Sequence, residues 1–433
     1  MKDLIWKKHN KGDTTDPAVM DFLAGEDVEL DQELMVFDLQ ASAAHVNGLR
    51  GIGILDEDES ERLLDGLQVI EADLKEGTRK LDSRYEDGHS AIESWLIEMH
   101  GEIGGKIHTG RSRNDQVAVA LRLYMKDRLA RLQGICTDIA TVLLERIKTE
   151  ADLPMAGYTH MQSAMPSSAG LWLAGHAEAF IDNAELAALT SKWLDASPLG
   201  TASGFGVNLD LPREDVARDL GFARLLVNPQ YAQNSRGKIE LQALSALSAC
   251  TLDLRRLAWD LSLFTTREFG FVKLPEQYCT GSSIMPNKNN PDTVELLRAV
   301  HGVVQGAQSE LASVLSLPSG YQRDLQATKP PLMRAFRKGL QALVLMPDLL
   351  ASFSWQPERM RESITAEMLA TDYALDLARE GIPFRDAYRT AATKMQGLSD
   401  EAIAASLANR TSPGGCGRLE TEVLQARLEQ FRN

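Results

Sequence analysis

Residues 116–150 read QVAVALRLYMKDRLARLQGICTDIATVLLERIKTE, thirty-five residues without a proline. Leu121, Leu129, Leu132, Ile135, Ile139, Leu143 and Ile147 recur at helical spacing along it. That period belongs to one long amphipathic helix rather than a strand, whose apolar residues would alternate. Four further stretches have the same texture, at about 168–194, 237–266, 291–317 and 331–354. Each exceeds the usual ~8–20 residues of a globular helix. Five long helices with no strand-like alternation between them predict an all-α fold built around a helix bundle. Several are apolar on more than one side, as in LQALSALSACTL at 241–252. Such a helix needs partners all round, from a large monomeric core or from bundles of several subunits. The second is expected here.

The flanking regions differ. The first hundred residues mix short helical patterns with polar connections such as LDEDESE at 55–61. After Trp355 the pieces shorten again, with Gly381, Pro383 and a TSPGGCG turn at 411–417. Three domains are therefore expected, at 1–110, 111–355 and 356–433.

Composition narrows the function. The net charge of −15 argues against nucleic-acid binding, which needs a basic face for phosphates. Any anionic substrate must then be held by cations placed locally. Cys136, Cys250, Cys279 and Cys416 are scattered without metal-ligand spacing and read as reduced thiols. Cys279 reads as a small buried side chain. The window 153–177 has no charged residue, but Pro154, Gly157, His160, Gln162 and Pro166 interrupt it, unlike a membrane span. A charged N-terminus with no signal-peptide pattern completes the expectation of a cytoplasmic protein.

Three polar islands precede long helices: HTGRSRNDQ at 108–116, GYTHMQSAMP at 157–166 and GSSIMPNKNNPD at 281–292. A polar loop entering a helix is an anion site in waiting, because unpaired N–H groups and the helix dipole favour negative charge. Each alone could be a capped helix start; in the third, Asn290 is placed to cap and Pro291 to open the helix. Together they bring Arg111, Arg113, His160 and Lys288 into an acidic chain. They contain no metal cluster, phosphate loop or nucleophile elbow. Hydroxyls, one histidine, cations and backbone N–H groups suit proton abstraction beside a carboxylate, where charge builds on a group already charged.

GSSIMPNKNNPD resembles the GSSxMPxKxNP signature of the fumarase/aspartase superfamily of lyases. GGKIHTGRSRNDQVA (104–118), YTHMQSA (158–164), LPSGYQRDLQATK (317–329), FDLQASAAHVNGL (37–49) and YEDGHSAIE (85–93) are similar to its argininosuccinate-cleaving branch. The resemblance spans about 30–330. It implies a three-domain, all-helical subunit whose five-helix bundles pack four-fold into a twenty-helix core, a homotetramer with active sites shared between subunits. It implies reversible β-elimination of argininosuccinate to arginine and fumarate, the last step of arginine biosynthesis, with no cofactor or metal.

By the same resemblance Ser282 is the base, Lys288 offsets the carbanion-like intermediate, and His160 protonates the leaving nitrogen with Glu295 as its partner. Ser112, Arg113, Asn114 and Thr159 would hold the fumarate-forming half, with Arg236 as a further carboxylate ligand and Asn290 adding hydrogen bonds. Ser42, Tyr321, Gln326 and Lys329 would hold the arginine-forming half. The remaining histidines, His89 and His45 among them, read as structural. Met165 and Ala91 stand where the family usually has Gln and Asn. A related substrate (an N-acylated argininosuccinate or adenylosuccinate) and a crystallin-like structural role are the competing readings.

Overall fold

The computed structural model describes residues 17–432 apart from 83, 86, 395 and 396. Four of the five expected long helices are present, at Arg113–Glu150, Ala169–Leu194, Lys238–Phe264 and Asp292–Val314. The fifth is broken into Lys329–Leu343 and Met346–Ser352. Pro347 is the cause: its ring clashes with the carbonyl four residues back, on Leu343, and it has no N–H to give. Pro330 and Pro331 fall in the first turn, where that N–H is not needed.

The first hundred residues are more regular than their sequence suggests. Asp27–Gly51 is a helix of 25 residues and Glu57–Glu76 one of 20. The longer was obscured because Asp31, Asp38, Ser42 and His45 lie on its buried face and interrupt the apolar stripe. The second has complete punctuation. Asp56 accepts from Glu59 N at 2.8 Å in a capping box, and Gly77 ends the helix at φ 75°.

The chain divides into two compact units. The first comprises the described residues up to 124, with 195–236 and 317–330. Its core gathers Leu49, Leu63, Ile70 and Leu96, all fully buried. A second cluster joins Ala44, Val119, Leu199 and Val216.

The second unit comprises 125–194, 237–316 and 331 onward. Helix Lys238–Phe264 is its centre, packing on both Ala169–Leu194 and Asp292–Val314. Leu244, Leu247, Leu254, Leu257 and Leu261 are wholly buried along it. Trp259 and Leu252, on the same helix, are exposed, and Leu296 on the next is 70 % exposed. The four cysteines are free thiols. Cys136 and Cys250 are buried, whereas Cys279 is only partly covered, short of the burial expected of it.

Among the described residues the strands form only two-stranded pairings. One corrects the expectation of a polar loop at 157–166: Pro154–Thr159 and Gln162–Ser168 form an antiparallel hairpin. No described helix is long and apolar enough to cross a membrane.

Candidate active site

In the first unit, Gly110 at φ 76° turns the chain into helix Arg113–Glu150. Ser112 stands at its entry, where its N–H donates to Asp115 Oδ1 at 2.9 Å and its Oγ accepts from Asn114 N at 3.3 Å. Asp115 is fully buried, and its other oxygen accepts from Gly200 N at 3.0 Å and Ala202 N at 2.8 Å. Burial pushes this carboxyl up, against three N–H donors that pull it down. One side chain thus ties the 108–116 island to the 197–206 loop, in which Ala202 takes a left-handed φ of 51°.

Arg113, Asn114, Arg236, Tyr321, Gln326 and Lys329 converge on one cavity of about 170 Å³. The sequence separates them into three stretches; the fold makes them neighbours. Asp27, Asp87, Val117 and Arg323 complete the wall. Arg113 forms an ion pair with Asp87, which also caps helix Gly88–His100 through Ser90 N at 2.9 Å. Arg236 is 7 % exposed, and its guanidinium lies 5.4 Å from the centre of the Tyr321 ring. Its buried Nε has no hydrogen-bond partner. A planar cation lining a cavity has the geometry that suits a carboxylate.

Lys329 is buried between Asp31 at 2.6 Å and Asp27 at 2.7 Å. Burial pushes the ammonium down, but the two carboxylates outweigh it and raise it above its ordinary range. Burial works against Asp31 too, yet Lys329, His89 and the Gly88 N–H hold it below the usual carboxylate range. Burial raises Asp27. Two of the three ammonium donors are therefore committed, leaving one for a ligand in the cavity that Lys329 lines.

Gln326 Nε2 donates to Leu23 O at 3.0 Å and Ala24 O at 3.3 Å, fixing its amide. Ser42 is not among the lining residues; its Oγ accepts from Arg111 Nη1 at 3.1 Å. Arg111 is stripped of water and brought down to about 10 by burial. His89 pairs with Asp38 at 3.0 Å and His45 with Thr109 O at 2.9 Å, both inside the fold. Ala91 is fully buried in the apolar core.

The second unit carries the other candidates. Thr159 and His160 stand at the tip of the hairpin, where His160 and Met161 have φ 55° and 61°. Positive φ at both central residues is the type I′ geometry that suits the twist of a two-residue hairpin. Non-glycine residues adopt it at a cost, so the turn holds an exposed imidazole in an unusual direction.

In the third island, Thr280–Gly281 pairs with Asn289–Asn290, closing the neck of the loop. Thr280 Oγ1 also donates to Asp292. Because the ladder holds Asn290 extended, it does not cap the helix. Pro291 occupies that position without a side-chain bond, and the helix begins at Asp292.

Ser282 Oγ accepts from Met285 N at 3.1 Å and from Ile284 N at 3.3 Å. Two N–H dipoles aimed at one hydroxyl oxygen favour its ionised form, which a serine base requires. Lys288 is exposed on the same loop, and Ile284 is 82 % exposed. Within the chain Glu295 pairs with Arg298 at 3.4 Å rather than with His160.

Asp27, Asp31, Asp87 and Arg323 escaped the reading from sequence. Asp27 and Asp31 carried a usable signal: four residues apart, they share one helix face. Asp87 and Arg323 lie within YEDGHSAIE and LPSGYQRDLQATK, motifs that mark the stretch but not the individual residue.

Comparison with known proteins adds an independent line. The lyase family matches residues 11–306. The argininosuccinate lyase of Xanthomonas axonopodis pv. citri (strain 306) is 53% identical over 436 residues, 100% of both chains. That of Stenotrophomonas maltophilia (strain R551-3) is 54% identical over 433 residues, 99% of each. A solved EDDS lyase in complex with formate superposes with a TM-score of 0.79 over 95% of this chain and 90% of that one, at 23% identity.

Proposed function

The chain belongs to the lyase family, and from that premise we propose that it cleaves argininosuccinate reversibly to arginine and fumarate. Identity above half with argininosuccinate lyases along the whole chain supports this substrate. The observation that carries it is the convergence of Arg113, Arg236, Tyr321, Gln326 and Lys329 on one cavity. Its cations match the carboxylates of the substrate.

In the forward direction Ser282 Oγ takes the proton from the carbon beside a carboxylate. The electron pair of that C–H bond forms the new double bond, and the C–N bond breaks toward the guanidino nitrogen, which accepts a proton from His160. Backbone N–H groups of Ile284 and Met285 stabilise the alkoxide, and Lys288 and Asn290 the doubly charged intermediate. Arg113, Arg236, Ser112, Asn114 and Thr159 hold the fumarate-forming half; Tyr321, Gln326 and Lys329 hold the other. Ser42 acts through Arg111, and Glu295 supports His160 across copies in the shared site, since within one chain it pairs with Arg298.

Fumarate release should be measured with argininosuccinate, its N-acylated form, adenylosuccinate and aspartate. kcat/KM at least about 100-fold higher for argininosuccinate is expected, as for a site built to hydrogen-bond its own substrate. Equal or faster release from adenylosuccinate would overturn the substrate; none from any of the four would favour a crystallin-like role.

The active oligomer is a tetramer in the same reading, each site completed by more than one copy, and the enzyme works in the cytoplasm. The exposed Leu252, Trp259 and Leu296 on two adjacent long helices and the exposed Ile284 beside Ser282 support an apolar partner surface. Domain boundaries at 110 and 355 belong to this reading. Mixing Ser282→Ala with Arg236→Ala should restore part of the activity once subunits exchange. No recovery after demonstrated exchange would rule out shared sites.

A further inference from the structure

The hairpin that presents Thr159 and His160 turns two backbone groups of its base outward. Ala169 N donates to Leu153 O, so in the alternating ladder Ala156 and Pro166 form a non-hydrogen-bonded pair, and the register slips between Ala156 and Tyr158. Two side chains from the last part of the chain meet these outward groups. Ala156 N donates to Ser363 Oγ at 3.1 Å, and Arg410 Nη1 donates to Pro166 O. Each is fixed in turn. Ser363 Oγ donates to Met360 O at 2.5 Å. Arg410 Nη2 reaches Asp372 Oδ2 at 3.2 Å and Ser406 Oγ at 3.0 Å.

The TSPGGCG turn locks this arrangement. Gly417 N donates to Arg410 O at 3.2 Å, and a Cβ on Gly415 would meet that same oxygen at 2.4 Å. Only glycine lets the turn close so tightly on the end of helix Asp400–Ala408. Ala156 also packs with Ile364, Met368, Ile403 and Leu407. Beside Tyr158, by contrast, the hairpin borders a cleft of about 300 Å³ that Phe269 and Arg359 also line. Apolar packing covers one side of the base, so its angle depends on the two polar bonds.

We propose that Ser363 and Arg410 brace the hairpin that aims His160, as positioning residues acting through the Ala156 N–H and the Pro166 carbonyl. The proposal rests on the reading of His160 as the group that protonates the leaving nitrogen. A small error in direction at the tip is enough to matter, because proton transfer needs hydrogen-bond reach.

The test compares Arg410→Ala, Arg410→Lys and Ser363→Ala with His160→Asn in steady-state cleavage of argininosuccinate by the full-length oligomer. His160→Asn should lower kcat by about 100-fold or more. Arg410→Ala and Ser363→Ala should lower it about tenfold with KM little changed, the signature of a contact felt in the transition state alone. Arg410→Lys, which can still donate to the carbonyl, should recover most of the rate. A lower melting temperature with wild-type kcat in both Arg410→Ala and Ser363→Ala would overturn the brace. Should Arg410→Ala fail to fold, Ser363→Ala decides alone: a reduced kcat supports the proposal and a wild-type kcat ends it. Wild-type kcat in His160→Asn would instead defeat the reading of the histidine, leaving a different failure on record.

Discussion

Ser282→Ala is expected to lower kcat about 1,000-fold or more while leaving the fold intact, within the ~10²–10⁴ range of general-base catalysis. The hydroxyl makes no contact that the fold depends on: it accepts two N–H bonds from its own loop, at 3.1 and 3.3 Å. Those donors can turn to water in an exposed loop, so removing the oxygen leaves nothing buried and unpaired. The same two bonds are why this serine, and not its neighbour Ser283, is suited to carry negative charge. Ser283→Ala should stay within about threefold of wild type, a change worth under ~1 kcal/mol. Circular dichroism and light scattering beside the rate measurement separate loss of chemistry from loss of structure. Near-full activity in Ser282→Ala would mean that another group is the base.

Lys329→Met should cost both stability and substrate affinity. Removing the ammonium leaves Asp27 and Asp31 desolvated and facing one another, a change that typically costs about 3–5 kcal/mol. The sign of its pH dependence follows from the shifts. Lys329 is raised, so its contribution is complete below the unfolded lysine value of about 10.4 and is lost as pH rises through the folded one. Asp31 is depressed, so its contribution is present above about 3.9 and is lost as pH falls through the folded value. Wild-type stability from the Lys329–Asp31 pair is therefore flat across neutral pH, whereas Asp27, raised by burial, costs stability as pH rises through its unfolded and folded values. In the variant the two carboxylates have lost their counter-charge and take up protons more readily. Its deficit in melting temperature should be largest near pH ~8 and shrink toward pH ~5. A deficit that does not change with pH would show that Lys329 acts by packing alone.

How much of this was legible in the sequence depends on which residues carried the signal. The 116–150 pattern reads correctly because its apolar residues face a core along the whole length. Helix Asp27–Gly51 does not, because its buried face holds Asp31, Asp38, Ser42 and His45. Those polar groups are satisfied by partners far along the chain, as Asp31 is by Lys329, 298 residues away. No local pattern encodes such a pairing. Pro347 was visible as a break, yet the apolar residues on either side masked it.

At the site, the motifs named Arg113, Arg236, Tyr321 and Lys329, and the fold gathers them. Conformation escaped the reading. The left-handed turn at His160 and Met161 uses residue types that do not advertise positive φ, unlike Asn-Gly. The ladder that pins Asn290 could not be separated from an ordinary cap by sequence alone, since Asn-Pro serves both.

One reaction at one serine is the central proposal. Its most direct measurement is the incubation of wild type and Ser282→Ala with argininosuccinate, with fumarate and arginine both quantified over time. Equal amounts of the two products from wild type, and neither from Ser282→Ala, is the predicted result. Arginine without fumarate, or equal release by both proteins, would contradict it.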